Sequence, residues 1–174
     1  MNLRSVSEIK DLAGKKVFVR ADFDVPLSEY SKGQFEVADG RRLESNRPTL
    51  EYLVESGARV VVAGHVGRPG GQADVSKSTQ PMAKYYAQYF PKLEWAESCV
   101  GPEVRLKVDG LKDGDLIILE NLRFHEGEEK NDPKFAKSLA GLADYYVNEN
   151  FSNSHRDHAS MTTLAGLLPS YAGF

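Results

Sequence analysis

The chain has 174 residues, of which 41% are hydrophobic and 27% are charged, and its formal net charge is -3 at pH 7. This length and composition predict one globular domain and exclude a disordered or fibrous chain. The small negative charge argues against attraction to nucleic acid or to an anionic membrane surface, so any cationic function has to be local.

The cysteine content and the first residues bear on the cellular compartment. Cys99 is the only cysteine, so no disulfide can form within the chain. No charged and apolar leader precedes the first residues, and no apolar stretch is long enough to span a bilayer. The sequence therefore predicts a cytoplasmic protein that is neither secreted nor inserted in a membrane.

Four apolar runs are predicted to be strands, at residues 16–22, 59–64, 115–119 and 144–147. The second and third runs are continuously apolar rather than alternating. Continuous runs are typical of parallel strands that are covered on both faces. The stretch 28–40, which is rich in small and polar residues, is predicted to be an irregular surface loop.

Helical patterns separate the predicted strands. Pro48 is expected in the first turn of one helix, and Gly57 is expected to end it. Further helices are predicted at 80–90, 101–108 and 132–142. The alternation of strand and helix predicts an α/β fold with an open, mainly parallel sheet and helices on both faces, a Rossmann-like three-layer sandwich.

The last of these helices has a clear start signal. Asp132 is predicted as its N-cap, and Pro133 occupies the first helical position, where a missing N–H is tolerated.

Arginines follow three of the four predicted strands: Arg68, Arg123 and Arg156. In an open α/β sheet, ligands bind outside the carboxyl ends of the strands. A guanidinium group donates two parallel hydrogen bonds to a phosphate or carboxylate. Each arginine alone could be a solvated residue or half of a weak ion pair. Their convergence predicts an anion site at this edge.

Two other pairs of residues have more than one interpretation. Asp22 and Asp24 suit acid–base chemistry if the first strand reaches them, but orienting neighbouring arginines is the favoured role. His155 and His158 could ligate a metal, yet no third ligand lies nearby in the sequence. The glycines around Arg68 match no nucleotide-binding spacing, so no nucleotide site is predicted.

Six segments of the chain resemble the phosphoglycerate kinase family, in order and along the whole chain. They are KVFVRADFDVP at 16–26, GHVGRP at 64–69, CVGPEV at 99–104, LENLRF at 119–124, GEEKNDP at 127–133 and HRDHAS at 155–160. The resemblance identifies residues 1–174 as the amino-terminal domain, which binds 3-phosphoglycerate. It implies a glycolytic enzyme that transfers a phosphoryl group between 1,3-bisphosphoglycerate and ADP to give ATP.

The resemblance also implies which residues touch the substrate: Asp22, Phe23, Asp24, Arg42, His65, Val66, Gly67, Arg68, Arg123 and Arg156. Arg42 is implied to be the catalytic residue that steadies charge on the transferring phosphoryl group, with its neighbour Arg41 as the alternative. The 3-phosphate is implied to lie against His65 and the last three arginines of this set.

The implied partners are 3-phosphoglycerate or 1,3-bisphosphoglycerate and a carboxy-terminal nucleotide-binding domain that the chain lacks. No cofactor and no metal are expected in this domain, because Mg-ATP or Mg-ADP would bind to the missing one. The chain alone is therefore expected to be inactive. It is also expected to be a monomer that binds neither nucleic acid nor membrane.

Some positions depart from the family pattern, which usually has asparagine at Asp24, aspartate at Glu149 and a Gly-Thr pair at Ser152-Asn153. Asp24 would repel an anion unless an arginine neutralised it. If Ser152 adopted a glycine-like conformation, the following loop would be strained. These departures leave open a non-catalytic or degenerate anion-binding domain. A hydrolase that uses two histidines and a metal is a third alternative.

Overall fold

The computed structural model describes residues 4–174, which form one parallel sheet of six strands and a separate two-stranded hairpin. The strands in chain order are β1 (Lys16–Arg20), β2 (Leu27–Ser31), β3 (Gln34–Val37), β4 (Arg59–Ala63), β5 (Glu94–Ala96), β6 (Leu116–Leu119), β7 (Tyr145–Asn148) and β8 (Ser170–Ala172). The order in the parallel sheet is β5-β6-β4-β1-β7-β8, and β2 pairs with β3 in the antiparallel hairpin.

The helices lie between these strands. They are α1 (Arg41–Glu55), α2 (Gln80–Tyr86), α3 (Pro102–Gly110), α4 (Glu126–Glu129), α5 (Pro133–Ala140) and α6 (Leu164–Leu167). A turn of π-helix, Ala159–Thr163, runs directly into α6. Within residues 4–174 we find no helix with the length and apolar character needed to cross a membrane.

Successive residues of the central strands point to opposite layers of the core. Val17 and Val19 of β1 belong to the layer formed with α1 and α2, whereas Phe18 belongs to the layer formed with α3, α5 and α6. Each central strand is thus buried on both faces, which explains why its residues are apolar without alternation. The predicted fold class and the four predicted strands are confirmed.

The direction of the chain across the sheet reverses between β1 and β7. From β1 the chain passes through α1 to β4 on one side, and from β7 it passes through α6 to β8 on the other. A reversal of this kind opens a crevice outside the carboxyl ends of the two strands, where ligands bind in open α/β sheets. The predicted site residues lie in the segments that follow the strands at this edge.

Two expectations about local structure are wrong. Helix α1 begins at Arg41, so Pro48 lies in its interior, where its exposed position tolerates the lost N–H donor. Residues 28–40 are exposed as predicted, but most of them form the β2–β3 hairpin, whose turn uses Gly33 at a φ of 71°. The sequence did not indicate the hairpin because few apolar residues mark its inner face.

The Asp132 N-cap is confirmed, since its carboxylate accepts the Lys134 N–H at 2.6 Å.

Candidate anion-binding site

Asp22 joins three segments at the carboxyl edge of the sheet. Its Oδ2 accepts hydrogen bonds from Arg42 Nη1 and from Ser152 Oγ, both at 3.2 Å. Its backbone N–H and carbonyl both bond to the side chain of Asn46 in α1, again at 3.2 Å. Asp22 therefore orients Arg42, as the sequence predicts, and α1 holds Asp22 in place.

The two adjacent arginines at the start of α1 have different partners. Arg41 pairs with Asp39 at 2.5 Å, and its side chain is 91% exposed. Hydrogen bonds from Arg41 lower the pKa of Asp39 to about 2. Arg42 instead turns toward Asp22. The arrangement favours Arg42 over Arg41 as the site arginine.

The glycine-rich loop after β4 is tied to two other strand ends. Asp24 Oδ1 accepts the Gly67 N–H at 2.9 Å, and Gly67 adopts a φ of 59°, which suits glycine. The Gly67 carbonyl accepts Arg123 Nη1 at 2.8 Å, and the Arg123 carbonyl accepts the Gly71 N–H at 3.1 Å. Arg68 lies between these bonds. It is exposed and pairs with no other residue in 4–174.

Phe23 and Val66 place their side chains in the core rather than in the site. Phe23 is fully buried, and its ring packs so closely on Gly64 that a Cβ there would lie 2.6 Å away. Val66 is 5% exposed. These two residues could therefore contact a ligand only through their backbone atoms, not through their side chains.

His65 lies in a buried group of basic side chains. Burial is the largest cause that lowers its pKa, and the positive charges of Arg20, Arg123, His158 and Arg156 lower it further, to about 2. The imidazole is therefore neutral. Arg20 is the nearest of these cations, with Nη2 at 2.9 Å from His65 Nδ1, and the others belong to the segments that follow β6 and β7.

Several nitrogens in this group are buried without a hydrogen-bond partner: Arg123 Nε and Nη2, Arg156 Nε and His158 Nδ1. Glu129 Oε1 lies 3.5 Å from Arg123 Nε, an ion-pair distance without hydrogen-bond geometry. Buried polar atoms are normally satisfied, and each one left alone costs about 1–3 kcal/mol. The geometry of the group thus fits a small ligand that carries several acceptor oxygens.

Comparisons with known proteins show to which family the chain belongs. The sequence profile of phosphoglycerate kinase matches residues 6–174. The chain belongs to the phosphoglycerate kinase family. Phosphoglycerate kinase of Coprothermobacter proteolyticus is 46% identical over 100% of this chain and 43% of its own length. That of Chelativorans sp. is 44% identical over 98% of this chain and 42% of its own length.

Solved structures give the same result. Phosphoglycerate kinase from Pyrococcus horikoshii OT3 matches with a TM-score of 0.84 and 30% identity, over 99% of this chain and 42% of that one. The enzyme from Coxiella burnetii matches with a TM-score of 0.85 and 27% identity, over 99% and 42%. The chain thus spans less than half the length of the phosphoglycerate kinases it matches.

Sequence reasoning missed Arg20, which is fully buried at the end of β1. Its Nε donates to Ser160 Oγ at 2.8 Å, and its Nη2 lies 2.9 Å from His65 Nδ1. Glu128, also fully buried, was missed as well. The sequence offered a signal for Arg20: it is a single charged residue between the apolar run of β1 and Ala21, and this pattern indicates a charge in the protein interior.

The departures from the family pattern cause no visible strain. Ser152 lies in the short 3-10 turn Phe151–Asn153, and the described non-glycine residues with positive φ are Asp11 and Asn131. Ser152 therefore does not adopt the glycine-like conformation that would have strained the following loop. Within residues 4–174, Asp24 forms no ion pair with an arginine. Its carboxylate is instead used to hold the Gly67 N–H.

The paired histidines lie in different surroundings. His155 is exposed, whereas His158 is buried in the basic group. In the part of the chain from 4 to 174, no three His, Cys, Asp or Glu side chains gather as a metal ion would require.

Proposed function

We propose that this chain binds 3-phosphoglycerate or 1,3-bisphosphoglycerate at the carboxyl edge of its sheet, as the substrate-binding half of a glycolytic phosphoglycerate kinase. The observation that carries the proposal is the set of buried, unpartnered nitrogens on Arg123, Arg156 and His158. A phosphate group offers several acceptor oxygens and a negative charge, so it complements both the hydrogen-bonding capacity and the charge of this group.

The arrangement supports a division of labour among the arginines. The 3-phosphate lies against His65, Arg123 and Arg156, and Arg68 adds an exposed guanidinium from the neighbouring loop. Arg42, oriented by Asp22, steadies the charge that develops on the transferring phosphoryl group. Phosphoryl transfer requires mainly positioning and electrostatic stabilisation, which side chains of this kind supply.

The proposed reaction moves a phosphoryl group between 1,3-bisphosphoglycerate and ADP. Residues 1–174 are the amino-terminal domain in this proposal, and Mg-ATP or Mg-ADP is held by a carboxy-terminal nucleotide-binding domain. This chain binds and orients the glycerate ligand and neutralises its charge. We propose that it acts as a cytoplasmic monomer and that, by itself, it binds without transferring phosphate.

The direct experiment is to titrate the chain with 3-phosphoglycerate and to follow the chemical shifts of its backbone amides. Shifts are expected at residues 65–68, 123 and 156, where the ligand would meet the loop and the basic group. Glycerate, which lacks the phosphate, is the matched control and should shift these signals far less. If 3-phosphoglycerate leaves them unmoved, the proposed site is wrong.

Turnover separates an enzyme half from a degenerate binding domain. The chain alone should give no ATP-dependent turnover. Joined to the nucleotide-binding domain of a 46% identical relative, it should restore turnover. Binding without turnover in the joined protein would favour the non-catalytic alternative.

A further inference from the structure

A continuous line of buried hydrogen bonds runs behind the proposed phosphate site. Glu128 of α4 accepts the Ser160 hydroxyl at 2.5 Å and the Ser160 N–H at 3.0 Å. The same hydroxyl accepts Arg20 Nε at 2.8 Å, and Arg20 Nη2 faces His65 Nδ1 at 2.9 Å. We call these residues, Glu128, Ser160, Arg20 and His65, the Arg20 relay. All of them are buried.

The relay determines which nitrogen of His65 carries the proton. A guanidinium group has only donors, so the imidazole nitrogen that faces it has to offer a lone pair. Burial and nearby positive charge keep the pKa of His65 at about 2, so the ring carries one proton. That proton is consequently on Nε2, which forms no hydrogen bond within residues 4–174.

Arg20 has little freedom to turn away from His65. Its Nη1 donates to the Ala21 carbonyl at 2.7 Å, so each of its three nitrogens has a partner. The Ser160 hydroxyl uses its single proton toward Glu128 and a lone pair toward Arg20. The charges of Glu128 and Arg20 are therefore linked through a hydroxyl whose direction is set.

We propose that Arg20, held by Ser160 and Glu128, is a positioning residue that keeps the Nε2–H of His65 as a donor to the phosphate of the ligand. This inference rests on the proposed function. The other tautomer would turn a lone pair toward the phosphate oxygens and repel them. Through the tautomer of His65, Arg20 thus influences the affinity for phosphate although it need not touch the ligand.

The ring nitrogens of His65 report the tautomer directly in long-range ¹H–¹⁵N spectra. In the ligand-free protein, Nδ1 should resonate as an unprotonated nitrogen and Nε2 as a protonated one. Arg20→Lys keeps the charge but has one nitrogen for three partners. It should shift the His65 signals toward a mixture of tautomers and weaken 3-phosphoglycerate binding about tenfold, the scale of one charge-assisted hydrogen bond.

Arg59→Lys is the matched control, because Arg59 lies in β4 at the opposite edge and pairs with Asp113. It should change neither the His65 signals nor the affinity. Ser160→Ala is the second variant, needed if Arg20→Lys does not fold, since it retains both charges and removes only the bridging hydroxyl. It should also produce a mixture of tautomers.

A wild-type His65 protonated at Nδ1 would overturn the proposal. Signals and affinity that stay unchanged in both relay variants would overturn it as well. The ring signals are measured without ligand, so they test the relay independently. If the tautomer is as inferred but 3-phosphoglycerate does not bind, the proposed function fails and the positioning role for phosphate fails with it.

Discussion

The two edges of the parallel sheet hold similar charged residues in opposite arrangements. At the amino edge, Lys16 of β1 pairs with Asp109, and Arg59 of β4 pairs with Asp113 at 3.0 Å, and all four side chains are partly exposed. At the carboxyl edge, Arg20 and Arg123 are buried, and Arg123 keeps two nitrogens without a partner.

The difference separates charges that have their partners from charges that keep unused hydrogen-bond donors. Exposed ion pairs contribute about 0–1 kcal/mol each and need nothing further. A buried cation without enough acceptors lowers the free energy of unfolding, so its retention indicates a use other than stability. Variants matched across the two edges test this difference.

The largest effect is expected from removing carboxylates that balance the charge of an arginine. Glu128→Ala leaves the charge of Arg20 buried without its counter-charge and should lower the free energy of unfolding by about 3–5 kcal/mol. Asp113→Ala, which breaks the exposed pair with Arg59, should lower it by less than about 1 kcal/mol. Denaturant unfolding of both variants measures the difference, and equal losses would contradict the contrast between the edges.

Arginines at the two edges should differ in ligand binding. Arg68→Ala should weaken 3-phosphoglycerate binding by about 1.5–3 kcal/mol, roughly 10- to 150-fold, because a charged hydrogen bond is lost. The free energy of unfolding should stay within about 0.5 kcal/mol, since Arg68 has no protein partner in residues 4–174. Calorimetric titration measures the affinity, with Arg59→Ala as the control. An unchanged dissociation constant would remove Arg68 from the site.

Carboxyl groups at the two edges should respond to pH in opposite directions. Burial raises the pKa of Glu149 after β7 to about 7, against hydrogen bonds from Thr49 and the Phe174 N–H. The Lys16 ammonium, chiefly by hydrogen bonding, lowers the pKa of Asp109. Because the raised pKa favours the protonated acid in the folded state, the contribution of Glu149 is present below pH 4.5 and is lost as pH rises through 7.

Glu149→Gln should remove this loss, since the amide keeps an acceptor for the Phe174 N–H. At pH 8 the variant should be more stable to denaturant than the parent by about 1–2 kcal/mol, a value reduced for partial solvent exposure. At pH 4 the two proteins should unfold alike. A parent whose stability does not fall between pH 5 and 8 would show that Glu149 is not desolvated.

The smallest effect is expected at Asp24. Asp24→Asn retains an oxygen for the Gly67 N–H and removes one negative charge near Arg123. The affinity for 3-phosphoglycerate should rise by less than about 1 kcal/mol, at most about fivefold. Asp24→Ala, which also loses the bond to Gly67, should not show this rise. Weaker binding by the asparagine variant would mean that the carboxylate itself contributes to the site.

Some elements could be predicted from local pattern and others could not. The continuous apolar runs of β4 and β6 predicted buried parallel strands correctly. Strands β5 and β8 are the outermost strands of the sheet and have only three residues each, too few to show an alternation of apolar and polar residues. The hairpin of β2 and β3 was missed because its residues are mostly exposed and polar.

The sequence by itself determined the α/β class, the family and the arginines after the strands, because short segments of the chain carry these signals. Only the tertiary structure decided the partner of each charge. Arg20 bonds to Ser160 across 140 residues and contacts His65 across 45. Such pairs depend on which strands are neighbours in the sheet, and the order of the strands is settled by packing of the whole chain rather than by any local pattern.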